Sequence, residues 1–388
     1  MSRLELIATA TFGLEAVVAR ELKQLGYEEQ TVEDGRVTFV ADEQAIARCN
    51  LWLRSADRVL LKMGSFQAAD FGALFDQTKA LPWADWIPED GEFPVNGRSV
   101  NSKLRAVPSV QGSVKKAIVE SLRTRYTRFK FEETGPKYQV EVSLLKDQAL
   151  LTIDTTGEDG LHKRGYRTWT GAAPLKETLA AALVQLSYWN RTRVLIDPFC
   201  GSGTIPIEAA MIGRNKAPGL DRNFVAQDWP VLPNSVWKEA RTEARDSMLG
   251  KPEALIMGTD HDGHILKRAR EHARNAGMMG DIQFERKEIS ELQTSREYGC
   301  VICNPPYGQR MGDRDQVDAV YRELARVCQP LDTWSFYVLT SHPVFERFFG
   351  RKADRRRKLY NGRIQCTYYQ FNGPRPPVLP GPADDPTE

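Results

Sequence analysis

No stretch of this chain approaches the roughly 18–20 consecutive apolar residues that a membrane helix needs. Its first residues, Met1-Ser2-Arg3-Leu4-Glu5, lack the basic region and apolar core of a secretory signal, so a cytoplasmic protein is expected. Cysteine is scarce, six in 388 residues, and too scattered for a secreted disulfide framework. Cys300 and Cys303 form a lone CxxC with no second pair or histidine cluster. The apolar run Cys300-Val301-Ile302-Cys303 reads as a buried strand, and no structural metal is expected. Neither sign of charge prevails, the formal net charge being +2. Internal repeats and long low-complexity segments are also missing.

What is present is a long soluble-type chain, 41% hydrophobic and 27% charged. At about 100–200 residues per domain it holds two or three. Charge is uneven along it. Between Gly97 and Phe131 lie nine basic residues, Arg98, Lys103, Arg105, Lys115, Lys116, Arg123, Arg125, Arg128 and Lys130, against one acid, Glu120. Tyr126, Phe129 and Phe131 are interleaved with them, so a polyanion-binding surface is expected there. A second cluster, Arg351-Lys352 and Arg355 to Lys358, reads equally well as a solvated face.

Residues 1–65 mix helix and strand patterns: a helix through Leu14, Val17, Val18, Leu22 and Leu25, strands at 36–40 and 58–63, and a helix at 45–53. Helices near 71–81 and 112–126 follow, then strands at 138–144 and 149–155. From about residue 166 strands alternate with helices, the pattern of a parallel sheet flanked by helices. Strands are expected at 193–199, 254–259, 282–286, 298–303 and 334–340. Residues 213–250 read as an insertion into this alternation. Asn361-Gly362 marks a hairpin between 357–360 and 363–371. The Pro-rich tail, 376–388, is expected to be disordered.

Val194 to Thr204 is a buried strand, a Gly-rich turn and the start of a helix. Such a turn lets a ligand approach the backbone at the C-terminal edge of a parallel sheet. No Lys-Ser/Thr follows the glycines, so a phosphate-cradling P-loop is disfavoured. Asp197 at the strand end suits a cationic or hydroxyl-bearing ligand. The next strand also ends in an acid, Asp260, which can accept both ribose hydroxyls of NAD or of S-adenosylmethionine.

Cys303-Asn304-Pro305-Pro306-Tyr307 follows the fourth strand. Tandem prolines stiffen the turn and remove two backbone donors, leaving carbonyls and the Asn304 side-chain oxygen as acceptors. A planar amino group offers two N–H donors, and accepting both aims its lone pair at an electrophile. Tyr307 offers a ring for an extruded base. Asn304, Pro305, Pro306 and Tyr307 are therefore the catalytic candidates.

Asp197-Pro198-Phe199-Cys200-Gly201-Ser202-Gly203-Thr204 and Asn304-Pro305-Pro306-Tyr307-Gly308 resemble the two signatures of class I amino-methyltransferases. With Gly160–Arg167, Pro174–Ala180 and Lys358–Gly362, the chain resembles the bacterial 23S rRNA guanine-N2-methyltransferase family (RlmL-like). That resemblance implies an α+β RNA-binding module, ferredoxin-like over 1–65 and THUMP over 66–155. An α/β Rossmann-like class I methyltransferase domain would follow over 166–375. It further implies S-adenosylmethionine as cofactor, with Asp197, Pro198, Phe199, Cys200, Gly201, Ser202, Gly203 and Thr204 at its methionine end. Asp260 would hold its ribose, Glu288 its adenine, and Asn304 would border both cofactor and target. The partner would be structured RNA, 23S rRNA or a ribosomal assembly intermediate. Some members carry a second fused methyltransferase domain, whose reaction is expected to be absent here. Close rivals are tRNA guanine-N2 and nucleic-acid adenine-N6 methylation, and, as a non-enzyme, an RNA-binding assembly factor.

Overall fold

The computed structural model describes residues 3–168, 175–307 and 314–377. Pro174, Gly308 and the tail from 378 onward, all singled out above, lie outside the described residues. The chain divides into two compact units: residues 1–182 with 214–250, and residues 183–213 with 251–388.

The chain opens with β1 (Leu4–Ala10), α1 (Glu15–Gln24), β2 (Gln30–Glu33), β3 (Arg36–Ala41), α2 (Gln44–Trp52) and β4 (Ala56–Gln67). Then come α3 (Phe71–Lys79), β5 (Val95–Val100), α4 (Val107–Tyr126), β6 (Val140–Leu145) and β7 (Gln148–Asp154). The seven strands form one sheet in the order β2-β3-β1-β4-β7-β6-β5. The twelve-residue β4 makes it continuous, pairing antiparallel with β1 and also with β7. The portions expected to be ferredoxin-like and THUMP thus share one hydrogen-bonded sheet. Only β5 and β6 run parallel.

After α5 (Glu177–Gln185) come β8 (Leu195–Asp197), α6 (Thr204–Gly213), α7 (Asn234–Asp246), β9 (Ile256–Asp260), α8 (Gly263–Asn275) and β10 (Ile282–Arg286). The chain continues through β11 (Cys300–Cys303), α9 (Arg314–Cys328), β12 (Ser335–Thr340), α10 (Phe345–Phe349), β13 (Arg355–Asn361) and β14 (Ile364–Phe371). The second sheet has the order β10-β9-β8-β11-β12-β14-β13. Its first five strands are parallel and β14 joins β12 antiparallel. Sequence-consecutive β8 and β9 are neighbours, and β11 takes the other side of β8. That reversal of strand order opens a crevice at the C-terminal edge, the usual ligand position in open α/β sheets. Cys300 and Cys303 are the two ends of β11, both buried.

The insertion folds back on the first unit. Trp229 stacks on Tyr138 with ring centroids 4.7 Å apart, and its indole N–H donates to the Lys137 carbonyl at 2.9 Å. Phe224 stacks on Trp237, and Glu243 on α7 forms two hydrogen bonds with Arg48 on α2, at 2.7 and 2.8 Å. Trp229, Leu232, Trp237 and Ala240 belong to the same buried core as Val140, Leu151 and Ile153.

The C-terminal hairpin turns one residue later than expected. Asn361 pairs with Ile364, so the turn residues are Gly362, at φ +62°, and Arg363. A positive φ at the first central position is the type II′ geometry that glycine favours. Asn361 becomes the last residue of β13, and its side chain is used elsewhere. Among the described residues no helix is long and apolar enough to cross a membrane.

Candidate functional site

Because β8, β9 and β11 are parallel neighbours, their ends bring Asp197, Asp260 and Asn304 to one edge of the sheet. The Gly-rich turn is held there by three bonds. Cys200 N–H donates to the Thr259 carbonyl at 3.0 Å, Gly203 N–H to the Cys200 carbonyl at 2.8 Å, and Gly201 N–H to Asp260 Oδ2 at 3.0 Å. His272 on α8 hydrogen-bonds the Ser202 carbonyl at 3.2 Å through Nδ1. The two glycines differ in what they require. Gly203 has φ +84°, and a Cβ there would sit 3.1 Å from Ala269 and from the Phe284 ring. Gly201 has φ +52° with no atom of the described residues within 4 Å of such a Cβ, which leaves room for a ligand against the backbone.

Asp197 is buried and accepts the Phe199 N–H at 3.1 Å. Burial pushes its carboxyl well above the usual range; the Phe199 bond opposes this and the nearby Asp260 charge adds to it. A carboxylate short of favourable partners is suited to a cationic ligand group. The raised value also fixes a sign. Its stabilising contribution is complete below the unfolded carboxyl pKa of about 3.9 and is lost as pH rises through the raised folded value. Asp197→Asn should therefore raise the melting temperature of the ligand-free protein at pH 8, with a much smaller gain near pH 4, while weakening cofactor binding. An equal gain at both pH values in thermal melts would show that the charge is not responsible.

Both Asp260 oxygens already accept from the backbone, Oδ2 from Gly201 and Oδ1 from Asp262 at 3.0 Å, with His261 Nδ1 3.3 Å from Oδ1. Each oxygen keeps a further lone pair for a hydroxyl donor. Pro198, Cys200 and Thr204 are buried, while Phe199 and Ser202 are partly exposed. Glu288 lies beyond β10 on the same edge, where Lys287 N–H donates to the Asp260 carbonyl at 3.1 Å. The Glu288 side chain is exposed and its N–H donates to Glu291 Oε2 at 2.8 Å.

At the end of β11 the Asn304 Oδ1 is buried, and no donor reaches it among the described residues. Leaving an amide oxygen dry and unpaired costs about 1–3 kcal/mol, which suits an acceptor kept for a ligand. Tyr307 is placed differently from what the sequence suggests. It is 2% exposed, and its hydroxyl accepts from Asn361 Nδ2 at 2.9 Å. In this state the ring is a buried anchor of the loop rather than an open stacking face. Tyr321 on α9 bonds the Pro306 carbonyl. Sequence reasoning missed Tyr321, which sits in no motif, and marked Asn361 as a hairpin residue without anticipating its side-chain bond to Tyr307.

The basic candidates share the first unit but not one role. Lys115 is paired with Glu133 at 2.6 Å, Arg123 with Glu120 at 2.6 Å, Arg125 with Asp85 at 3.5 Å and Lys130 with Glu132 at 3.6 Å. Arg128 is paired with Glu89. Four of these five acids lie outside the 97–131 stretch, so the linear count overstates its free charge. Arg98 on β5, Lys103 and Arg105 in the following loop, and Lys116 on α4 form no salt bridge among the described residues, although Arg98 lies near enough to Glu141 to feel its charge. Phe131 packs edge-on against Phe93 and Tyr126, whereas Phe129 is 94% exposed.

Known families match in three places: an RlmL ferredoxin-like domain over residues 5–60, a THUMP domain over 68–154, and an RMKL-like methyltransferase domain over 164–370. The chain belongs to the RMKL-like methyltransferase family. YpsC of Bacillus subtilis (strain 168), assigned by name to the RNA methyltransferases, is 50% identical over 373 residues and 96% of each chain. The ribosomal RNA large subunit methyltransferase K/L of Syntrophotalea carbinolica is 34% identical over 95% of this chain, which spans 53% of that protein's length. SMU.472, solved in complex with SAH, superposes with a TM-score of 0.92 at 44% identity, over 97% of this chain and 100% of that one. The RMKL-like match crosses residues 214–250, although these pack with the first unit.

Proposed function

We propose that this RNA methyltransferase methylates the exocyclic N2 amine of a guanine in 23S rRNA. The observation that carries the site reading is the buried Asn304 Oδ1, which no donor reaches among the described residues, at the sheet edge that also holds Asp197 and Asp260. S-adenosylmethionine is the cofactor, and it supplies an electrophilic methyl group. The turn from Asp197 to Thr204 and Asp260 would hold it, with Glu288 at the adenine end. Asn304 would accept one hydrogen of the target amine and so aim its lone pair. No strong base is needed, because the amine proton can leave after transfer; the contribution is positioning. Arg98, Lys103, Arg105 and Lys116 would contact phosphate, and the paired cations could do so only by releasing their carboxylates.

The choice of guanine N2 and of 23S rRNA rests on the sequence resemblance and on the named relative in ribosomal RNA methylation. Incubating the protein with undermodified 23S rRNA and methyl-labelled cofactor, then digesting to nucleosides, tests it. Label in N2-methylguanosine is expected. Label only in N6-methyladenosine would overturn the base, and label only with tRNA would overturn the substrate. No label with any RNA would favour a non-enzymatic RNA-binding role.

A further inference from the structure

Two prolines in tandem offer two carbonyls, and a target amine needs a defined pair of acceptors. The second unit treats these carbonyls differently. Among the described residues no donor reaches the Pro305 carbonyl, whereas the Tyr321 hydroxyl donates to the Pro306 carbonyl at 3.1 Å. Tyr321 is fully buried on α9, edge-on to His342 and Phe345 with ring centroids 5.3 and 5.4 Å away. Its hydroxyl also lies 2.6 Å from Thr340 Oγ1 at the end of β12. Thr340 Oγ1 in turn accepts the His342 backbone N–H at 3.0 Å.

Donor counting fixes the direction of this chain. A carbonyl only accepts, so the single Tyr321 proton goes to Pro306. The Thr340 proton must then go to Tyr321. Thr340 receives from His342 N–H, which can only donate. Every proton has one place to go, and the relay ends on Pro306. Burial raises the Tyr321 pKa and keeps the hydroxyl protonated.

We propose that Tyr321 is a positioning residue: by occupying the Pro306 carbonyl from α9, it sets the loop so that Asn304 Oδ1 and the Pro305 carbonyl remain as the acceptor pair for the target amine. This rests on the reading of Asn304–Tyr307 as the amine site. The side chain of Asn361 clamps Tyr307 from β13, so the loop is held from two elements. Tyr321 fixes which acceptors face the amine, and its loss misaligns the amine without removing a group that touches it.

Tyr321→Phe keeps the ring and deletes only the relay. Turnover on RNA should fall roughly tenfold, the equivalent of one neutral hydrogen bond lost at the transition state. Cofactor affinity by calorimetry should change less than about twofold, and KM for RNA should move less than kcat. Thr340→Val, which leaves the Tyr321–Pro306 bond possible, should fall between Tyr321→Phe and wild type. A second readout needs no turnover: in ligand-free protein with 13C-labelled proline carbonyls, Tyr321→Phe should shift the Pro306 resonance and leave Pro305 nearly fixed. Unchanged kcat, or no Pro306 shift, overturns the proposal. Equal losses of melting temperature and kcat in both variants would reduce Tyr321 to a structural role and overturn it too. If Asn304→Ala retains full activity, the amine-site reading fails first, and the carbonyl shift alone then reports on the relay.

Discussion

Asn304→Ala is expected to cut methyl-transfer turnover by about 10²-fold or more, by analogy with removal of one preorganised hydrogen-bonding group from an active site. The same change should leave folding intact or improve it. The buried Oδ1 has no donor among the described residues, so deleting it relieves a desolvation cost of about 1 kcal/mol or more. Activity and stability should therefore move in opposite directions, as for a group held in a costly state for its task. Binding of S-adenosylmethionine and of RNA should survive, because the lost contact matters mainly when the amine is aligned for attack. Single-turnover rates and thermal melts on one preparation decide it. Full turnover in Asn304→Ala would sink the mechanism, and a marked loss of stability would show that Oδ1 has a partner in solution.

Asp260→Ala should weaken S-adenosylmethionine binding by roughly 10- to 150-fold, equivalent to about 1.5–3 kcal/mol for hydrogen bonds to a charged acceptor. The geometry gives this loss two sources. One is the pair of ribose hydroxyls that the carboxylate would accept. The other is the Gly201 N–H, which Asp260 Oδ2 holds at 3.0 Å and which fixes the turn before any ligand arrives. Asp260→Asn separates them, since the amide oxygen can keep one acceptor but not the charge; it should lie between wild type and Asp260→Ala in calorimetry. Hydrogen exchange adds a cofactor-free check: the Gly201 amide should exchange faster in Asp260→Ala. Unchanged affinity in a folded Asp260→Ala would remove this residue from the site.

The sheet edge was legible because its strands are short apolar runs that stop at residues with chemistry. Leu195-Ile196 stops at Asp197, the β9 strand at Asp260, and Cys300 to Cys303 at Asn304. Other elements left no local mark. β5, Val95-Asn96-Gly97-Arg98-Ser99-Val100, is polar and contains glycine, and exists as a strand because β6 pairs with it. Its residues Gly97 and Arg98 read as the start of a basic stretch instead. Likewise Lys115 and Arg123 look like free charge until the fold supplies Glu133 and a helical Glu120 one turn away. The bond from Tyr321 to Pro306 spans a helix–loop contact that no motif encodes. The motif suggests an open stacking ring for Tyr307, yet the ring is buried and its hydroxyl accepts from Asn361 at the end of β13. Apart from Glu120, which lies one helical turn from Arg123, the missing term in each case is a partner outside the local sequence window.

The return of residues 214–250 to the first unit has a consequence in time. At roughly 5–20 residues per second, a ribosome needs about 3–14 s to extend the chain from residue 182 to residue 250. During that interval Tyr138 lacks Trp229, and the core lacks Leu232, Trp237 and Ala240. The strand and helix of the methyl-donor turn, β8 and α6, emerge inside the same window. The nascent first unit must therefore wait with an apolar face uncovered while part of the other unit passes through the exit tunnel. A chaperone that binds such faces has its natural moment here, and a pause in translation before residue 250 would prolong exactly the state most prone to aggregate.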